Sequence, residues 1–265
     1  MKIFGSKMRG ALTILLFALH GIASAQVPRD FVERVRNSGF IFLGTVRQLH
    51  AATPTVVLEP NTVVVSVDRI IESLPPIGNV SGKVETVRLR EGEKVAEGQQ
   101  LIFFTYLYSA GTSLGLQSVG ILPAMQDIDA AVQEVKTARI TLADEALSNR
   151  LTSASIVVLG RVVESQPTEE ARERKAEHDP MWWRADIEVE SVLKGAAERK
   201  VSVNFASSDD WMWVHSPKPK RGETAIFLLQ PAKNLMFNIG GLYLLDPLDE
   251  LPRQELARVK RLLAQ

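Results

Sequence analysis

Phe40-Ile41-Phe42-Leu43-Gly44-Thr45-Val46 decides how this chain of 265 residues is read, because the pattern returns as Ile156-Val157-Val158-Leu159-Gly160-Arg161-Val162. Each copy is an apolar, strand-like run that reaches a glycine and ends in valine, and each follows a short amphipathic segment. Without a gap, Arg34, Val35 and Phe40 fall on Arg150, Leu151 and Ile156. Further along, Val67 and Ile70-Ile71 match Val189 and Val192-Leu193, and Gly98-Gln99-Gln100-Leu101-Ile102-Phe103-Phe104 matches Gly222-Glu223-Thr224-Ala225-Ile226-Phe227-Leu228. These anchors need three different offsets, which describes one small β-rich domain duplicated with loop insertions and not a short-period solenoid.

Working outward, Arg29 to Arg36 carries Phe31, Val32 and Val35 on one side and reads as a short helix stopped by Asn37-Ser38-Gly39. Thr62–Val67, Lys83–Leu89, Leu101–Tyr106 and Leu114–Leu122 complete a first set of strands. Gln126 to Asn149 spaces Ile128, Ala131, Val132, Val135, Ala138 and Leu142 three or four apart, which predicts a helix joining the two units and packing on one of them. The second set of strands is expected at Ile156–Val162, Ala185–Val189, Val201–Phe205, Ala225–Leu228 and Leu242–Leu245, with a terminal helix from Pro252. Five short strands in so few residues suit a small closed barrel, and closure removes exposed sheet edges.

The N-terminus sets the compartment. Lys2, Lys7 and Arg9 precede an apolar run from Ala11 to Leu19, and Ala23-Ser24-Ala25 offers a small-x-small cleavage site before Gln26. That order is a secretory signal, so the mature chain is expected in the periplasm or outside the cell. The apolar run is about half of a bilayer crossing, and no later run is long enough, so no integral membrane segment is expected after signal removal. There is no cysteine, which excludes disulfides and thiolate chemistry. Removing three of the 31 basic residues against 31 acids leaves the mature chain about three charges negative, with no basic field to hold nucleic acid.

The order F-x-F-L-G-x-V, long loop, alternating strand ending Val192-Leu193-Lys194-Gly195, V-x-V strand at Val201, then G-x-x-x-x-F at Gly222 resembles the netrin-module and metalloproteinase-inhibitor superfamily of oligonucleotide/oligosaccharide-binding (OB) barrels. It looks closest to the cysteine-free bacterial members. The first copy departs from it with Arg69-Ile70-Ile71-Glu72 in place of the second copy's Lys194-Gly195 ending. The resemblance implies a mainly β protein with short helices, built as tandem duplicated OB-like small β-barrels. Its divisions would be a signal over 1–25, a first barrel over 26–125, a connecting helix over 126–149, a second barrel over 150–248 and a C-terminal helix over 249–265. A competing resemblance is local: Gly82 to Leu101 looks like one hairpin of a lipoyl-type domain of an efflux-type periplasmic adaptor, but no second half of similar spacing is visible.

Chemistry is sparse. His50, His178 and His215 are far apart, and no metal-ligand spacing exists, so neither a metal nor another cofactor is expected. No G-x-S-x-G elbow or phosphate loop is present, and no catalytic residue can be assigned. In the metalloproteinase inhibitors a disulfide-bonded N-terminal cysteine chelates the target's zinc; here the mature chain would begin Gln26-Val27-Pro28, so inhibition would rest on fold alone. Inhibition of a metal-dependent hydrolase, or such an activity in the chain itself, stays an alternative to the favoured reading, a non-catalytic binding or assembly module. All four tryptophans, Trp182, Trp183, Trp211 and Trp213, lie in the second unit, with His215 beside them. They are the expected binding residues for a protein or carbohydrate partner, because rigid aromatic side chains lose little entropy on binding.

Overall fold

The computed structural model describes residues 28–73, 78–110, 113–168, 180–231 and 241–265; the expected export signal over 1–25 lies outside them. The unbroken apolar runs have a direct cause, since both repeat strands are buried on both faces. In the first unit, α1 (Arg29–Arg36) precedes β1 (Phe40–Leu49), β2 (Thr62–Ser73), β3 (Val84–Arg88), β4 (Gln100–Ala110) and β5 (Ser113–Pro123). These strands close in the order β1-β2-β3-β5-β4, with β4 returning to β1. Phe40, Phe42 and Phe103 point into the barrel as a stacked row, with rings 4.9 Å apart between Phe40 and Phe42 and 5.2 Å apart between Phe42 and Phe103. Ile41 points the other way, into a second layer with Ile102, Phe104 and the helices. A strand covered on both sides needs no polar alternation, which is why Phe40-Ile41-Phe42-Leu43 has none.

After α2 (Ile128–Ser153), the second unit runs β6 (Ile156–Pro167), β7 (Met181–Lys194), β8 (Lys200–Ser207), β9 (Thr224–Pro231), β10 (Leu242–Leu244) and β11 (Glu250–Pro252), then α3 (Leu256–Leu263). Here β10 lies between β8 and β9, so β6-β7-β8-β10-β9 closes as the first barrel does, and β11 extends the other half of the β9 edge. The duplication is visible bond by bond. Gly44 pairs with Val67 and Leu101; Gly160 pairs with Val189 and Ala225. Register shifts fall at corresponding points of β1–β2 and β6–β7. Gly98 N donates to Val46 O, and Gly222 N donates to Val162 O, both at 2.8 Å. The turns into β4 and β9 place Gly98 and Gly222 at φ 78° and 92°, a region other residues enter at a cost.

Gly44 and Gly160 are required for a different reason. A Cβ on Gly44 would lie 2.7 Å from Val65 and 2.8 Å from the Ser66 carbonyl oxygen; on Gly160 it would lie 2.6 Å from Ile187 and 2.8 Å from the Glu188 oxygen. The obstacle in both copies includes backbone of the adjacent strand, which cannot rotate away. Gly44→Ala and Gly160→Ala are each expected to lower stability by about 1–3 kcal/mol, the cost of overpacking a close-packed interior. Urea unfolding of the two variants checks this; free tolerance of alanine at either position would show that the strands can separate.

The helix α2 departs from expectation in two ways. It runs past 149 to Ser153, and it packs on both barrels, not one. Ala131, Val135 and Ala138 join the outer layer of the first barrel, whereas Leu147 and Leu151 join that of the second. From Ala138 to Leu147 the apolar stripe moves about half a turn around the helix at about 100° per residue. The helix therefore presents opposite faces to its two clients and has no single apolar side. The same barrel position anchors each half: Glu72 accepts from Arg139 at 2.6–3.0 Å, while Lys194 Nζ donates to the Leu151 and Thr152 carbonyls at 2.7 and 2.8 Å. A cation there satisfies carbonyls that the helix end leaves open. A further difference concerns 249–265. This segment is not helical throughout, because Glu250–Pro252 is needed as β11 to cover the free half of β9.

Closure itself differs between copies. In the first, β5 is continuous, with a bulge where Phe104 pairs with Gly120 but Thr105 pairs with Ser118. In the second, the equivalent strand is broken into β10 and β11 by a 3-10 turn, Pro247–Asp249. The sequence-matched arginines meet these two places. Arg34 lies across Gly120 and donates to the Ile121 carbonyl at 2.9 Å. Arg150 instead clasps the carboxylate of fully buried Asp249 through Nε and Nη2, at 2.6 and 2.7 Å.

Candidate functional site

Each barrel has a different surface to offer. OB barrels commonly bind on the face of their second and third strands, flanked by the first and fourth loops. In the first barrel this face is covered by the chain's own β1–β2 loop. Thr53 donates its N–H to Thr86 Oγ1 at 2.8 Å, and Glu59 pairs with Arg88 at 3.2 Å. Arg88 in turn sits 4.0 Å over the ring of Tyr108. Polar groups committed in this way fix a loop and leave little for a ligand.

The second barrel carries the tryptophans, and the segment between β8 and β9 sorts them. Asp210 organises a tight turn: its Oδ1 accepts from Met212 N at 2.9 Å, and its carbonyl accepts from Trp213 N and Val214 N, both at 2.8 Å. Ser216 Oγ ties the far side of the turn to the Leu245 carbonyl at 3.1 Å, and Lys218 Nζ bridges the Trp213 and Val214 carbonyls. Trp213 is driven inward and meets Trp182 edge-on at 6.1 Å; Trp182 meets Tyr243 at 5.5 Å. Together with Ala206 they form a small buried cluster on the outer side of the barrel. Trp211, two residues earlier on the same turn, is 76% exposed.

The five expected binding residues are thus divided. Trp182 and Trp213 are buried, with ring faces spent on the cluster. Trp183 is half-buried and leans on Phe205 at the barrel interior, 6.2 Å between rings. Trp211 and His215 remain at the surface. Around Trp211, Met212 and Val214 are exposed on the same turn. Met181 is exposed too, at the start of β7 opposite Ser207, where that turn departs. Nothing in composition separates Trp211 from Trp213; only the turn's hydrogen bonds do.

Among the described residues, no group of three or more His, Cys, Asp or Glu side chains could hold a metal ion. Asp209 and His215 are both exposed, and His178, which would have to join them, lies outside the described residues. No helix among the described residues is long and apolar enough to cross a membrane. No protein-family model matches this chain, and no curated protein matches its sequence.

Proposed function

We propose that this protein is an exported, non-catalytic binding module of netrin-like descent, whose second barrel docks an apolar surface of a protein partner through the turn Trp211–His215. The carrying observation is a large apolar side chain held out to solvent on a turn that is pinned at both ends. Trp211 is 76% exposed, yet its neighbours are fixed by Asp210 and by the buried Trp213. Such pre-organisation lowers the entropic cost of association, and a central tryptophan ringed by lesser apolar contacts is the composition of a binding hot spot. Met212, Val214 and Met181 supply that ring. Asp209 and His215, exposed at either side of these apolar residues in the chain, supply the polar rim such a surface carries. The signal-like order of residues 1–25 supports export.

The test compares two substitutions on one turn. Trp211→Ala is expected to change stability by less than about 0.5 kcal/mol, as for other exposed positions, and to abolish retention of the partner from the exported fraction. Trp213→Ala is expected to cost about 3–5 kcal/mol through loss of buried aromatic packing. Thermal unfolding and affinity capture read the two effects. Undiminished capture by folded Trp211→Ala would remove this surface from consideration, and selective binding to a glycan would replace a protein partner with a carbohydrate.

A further inference from the structure

We infer that the first barrel holds a second, separate site, which takes a small amphiphile with a single anionic head. A cavity of about 390 Å³ opens where β1 ends and β2 begins, within the size range of small-molecule sites. Leu49, Val63, Leu89 and Val95 give it apolar walls, and His50 and Lys94 stand among the residues that line it. Its position is set by backbone geometry: His50 is the one non-glycine residue among those described with a positive φ, 48°. Departures of this kind persist where surrounding structure over-determines them, and they concentrate at ligand sites.

The polar groups are disposed for an anion. His50 Nδ1 lies 2.7 Å from the Pro60 carbonyl oxygen, which can only accept, so Nδ1–H donates to it and the ring is held in place as part of the cavity wall, leaving Lys94 to meet the charge. Lys94 makes no ion pair or hydrogen bond among the described residues. Its counterpart in the second barrel, Lys218, four residues before the matching glycine, is spent on the Trp213 and Val214 carbonyls. The one lining carboxylate, Glu93, is paired elsewhere: it accepts from Arg90 N at 2.9 Å, Arg90 Nε at 3.2 Å and Ser118 Oγ at 3.2 Å. Nearby Glu97 is turned to the Leu49 N–H. An uncommitted ammonium at the mouth of an apolar cavity matches an alkyl chain or ring ending in a carboxylate or phosphate.

Decanoate is the probe, titrated into the isotope-labelled chain as isolated after export and followed by amide NMR. Saturable shifts are expected at Leu49, His50, Asn61 and Val95. Decanol, which lacks the charge, should bind about tenfold more weakly, the worth of one charge-assisted hydrogen bond. Lys94→Met should weaken decanoate by a similar factor and leave decanol unchanged; His50→Asn, which tolerates the same backbone conformation, removes a ring from the wall and should weaken both probes alike without unfolding the barrel. Absence of saturable shifts up to about 1 mM would overturn the site, since such affinity is the least a specific pocket of this kind shows. Equal binding of decanol and decanoate, or shifts that map to the second barrel, would overturn it as well.

Discussion

Asp249→Ala is expected to destabilise the second barrel by about 3–5 kcal/mol, the usual cost of stripping one partner from a buried ion pair. The carboxylate is fully buried and receives four donors. Arg150 supplies two, and the N–H groups of Leu245 and Asp246 supply the others at 2.8 and 2.9 Å. Burial works against the charge on Arg150, yet the hydrogen bonds and charge of Asp249, with Asp246 beyond, raise its pKa above the ordinary value. Alanine would leave a half-buried guanidinium without its carboxylate and two backbone donors without their acceptor, at the point where the closing strand is broken. The repeat provides its own control. Arg34→Met, at the matching position of the first barrel, removes a single bond to a carbonyl and should cost about 1 kcal/mol. Because all four tryptophans lie in the second half of the chain, their fluorescence in urea reports that barrel's unfolding, while circular dichroism reports both. A fluorescence midpoint for Asp249→Ala within about 1 kcal/mol of the parent would mean that the ion pair does not hold the split strand.

The second large effect depends on pH. Burial, first, and then the neighbouring Glu223 raise Glu250 from its ordinary 4.5 to about 7, with Lys220 opposing them. The folded chain therefore keeps this proton up to about pH 7, whereas the unfolded chain releases it near 4.5. Between those values the folded state binds more protons, so the contribution is complete below the lower value and is lost as pH rises through the upper one. The loss is up to about 3 kcal/mol. Glu85 is also raised by burial, against the charge of Lys83, and tilts the profile in the same sense. The aspartates act elsewhere. Asp68 and Asp186 are lowered against the opposing effect of burial, by hydrogen bonds from Thr45, Gln100 and Ser66 and from Lys200 and Ser202 respectively. Asp144 is lowered by Arg261, against burial, and by Arg258. Their stabilisation is lost only as pH falls below the ordinary aspartate value of 3.8. Urea midpoints at about pH 5 and pH 8 should show the parent losing stability on going alkaline and Glu250→Gln losing much less. Parallel losses in the two proteins would place the titration on another group.

Several features were legible in the chain alone. Phe40-Ile41-Phe42-Leu43-Gly44 and its echo at Ile156 announced a duplicated β unit, because burial on two faces leaves an unbroken apolar run and a close backbone approach demands glycine. Gly98 and Gly222 marked matching turns for a reason equally local, their positive φ. Arg34 and Arg150 aligned by spacing, and both reach the closing strand. What each arginine finds there was decided only in three dimensions, since Asp249 is remote in sequence and joins Arg150 through the break between β10 and β11. The phase change in α2 is written in the spacing of Ala138 and Leu147, but which barrel each face meets was decided only by the fold. The candidate site shows the same limit. Trp211, Met212 and Trp213 are near-equivalent by hydropathy, yet a turn closed by Asp210 sends one tryptophan into solvent and the other into a cluster with Trp182 and Tyr243. Local pattern determines which residues must be covered or bent; which surface stays open depends on what the distant strands bring to cover it.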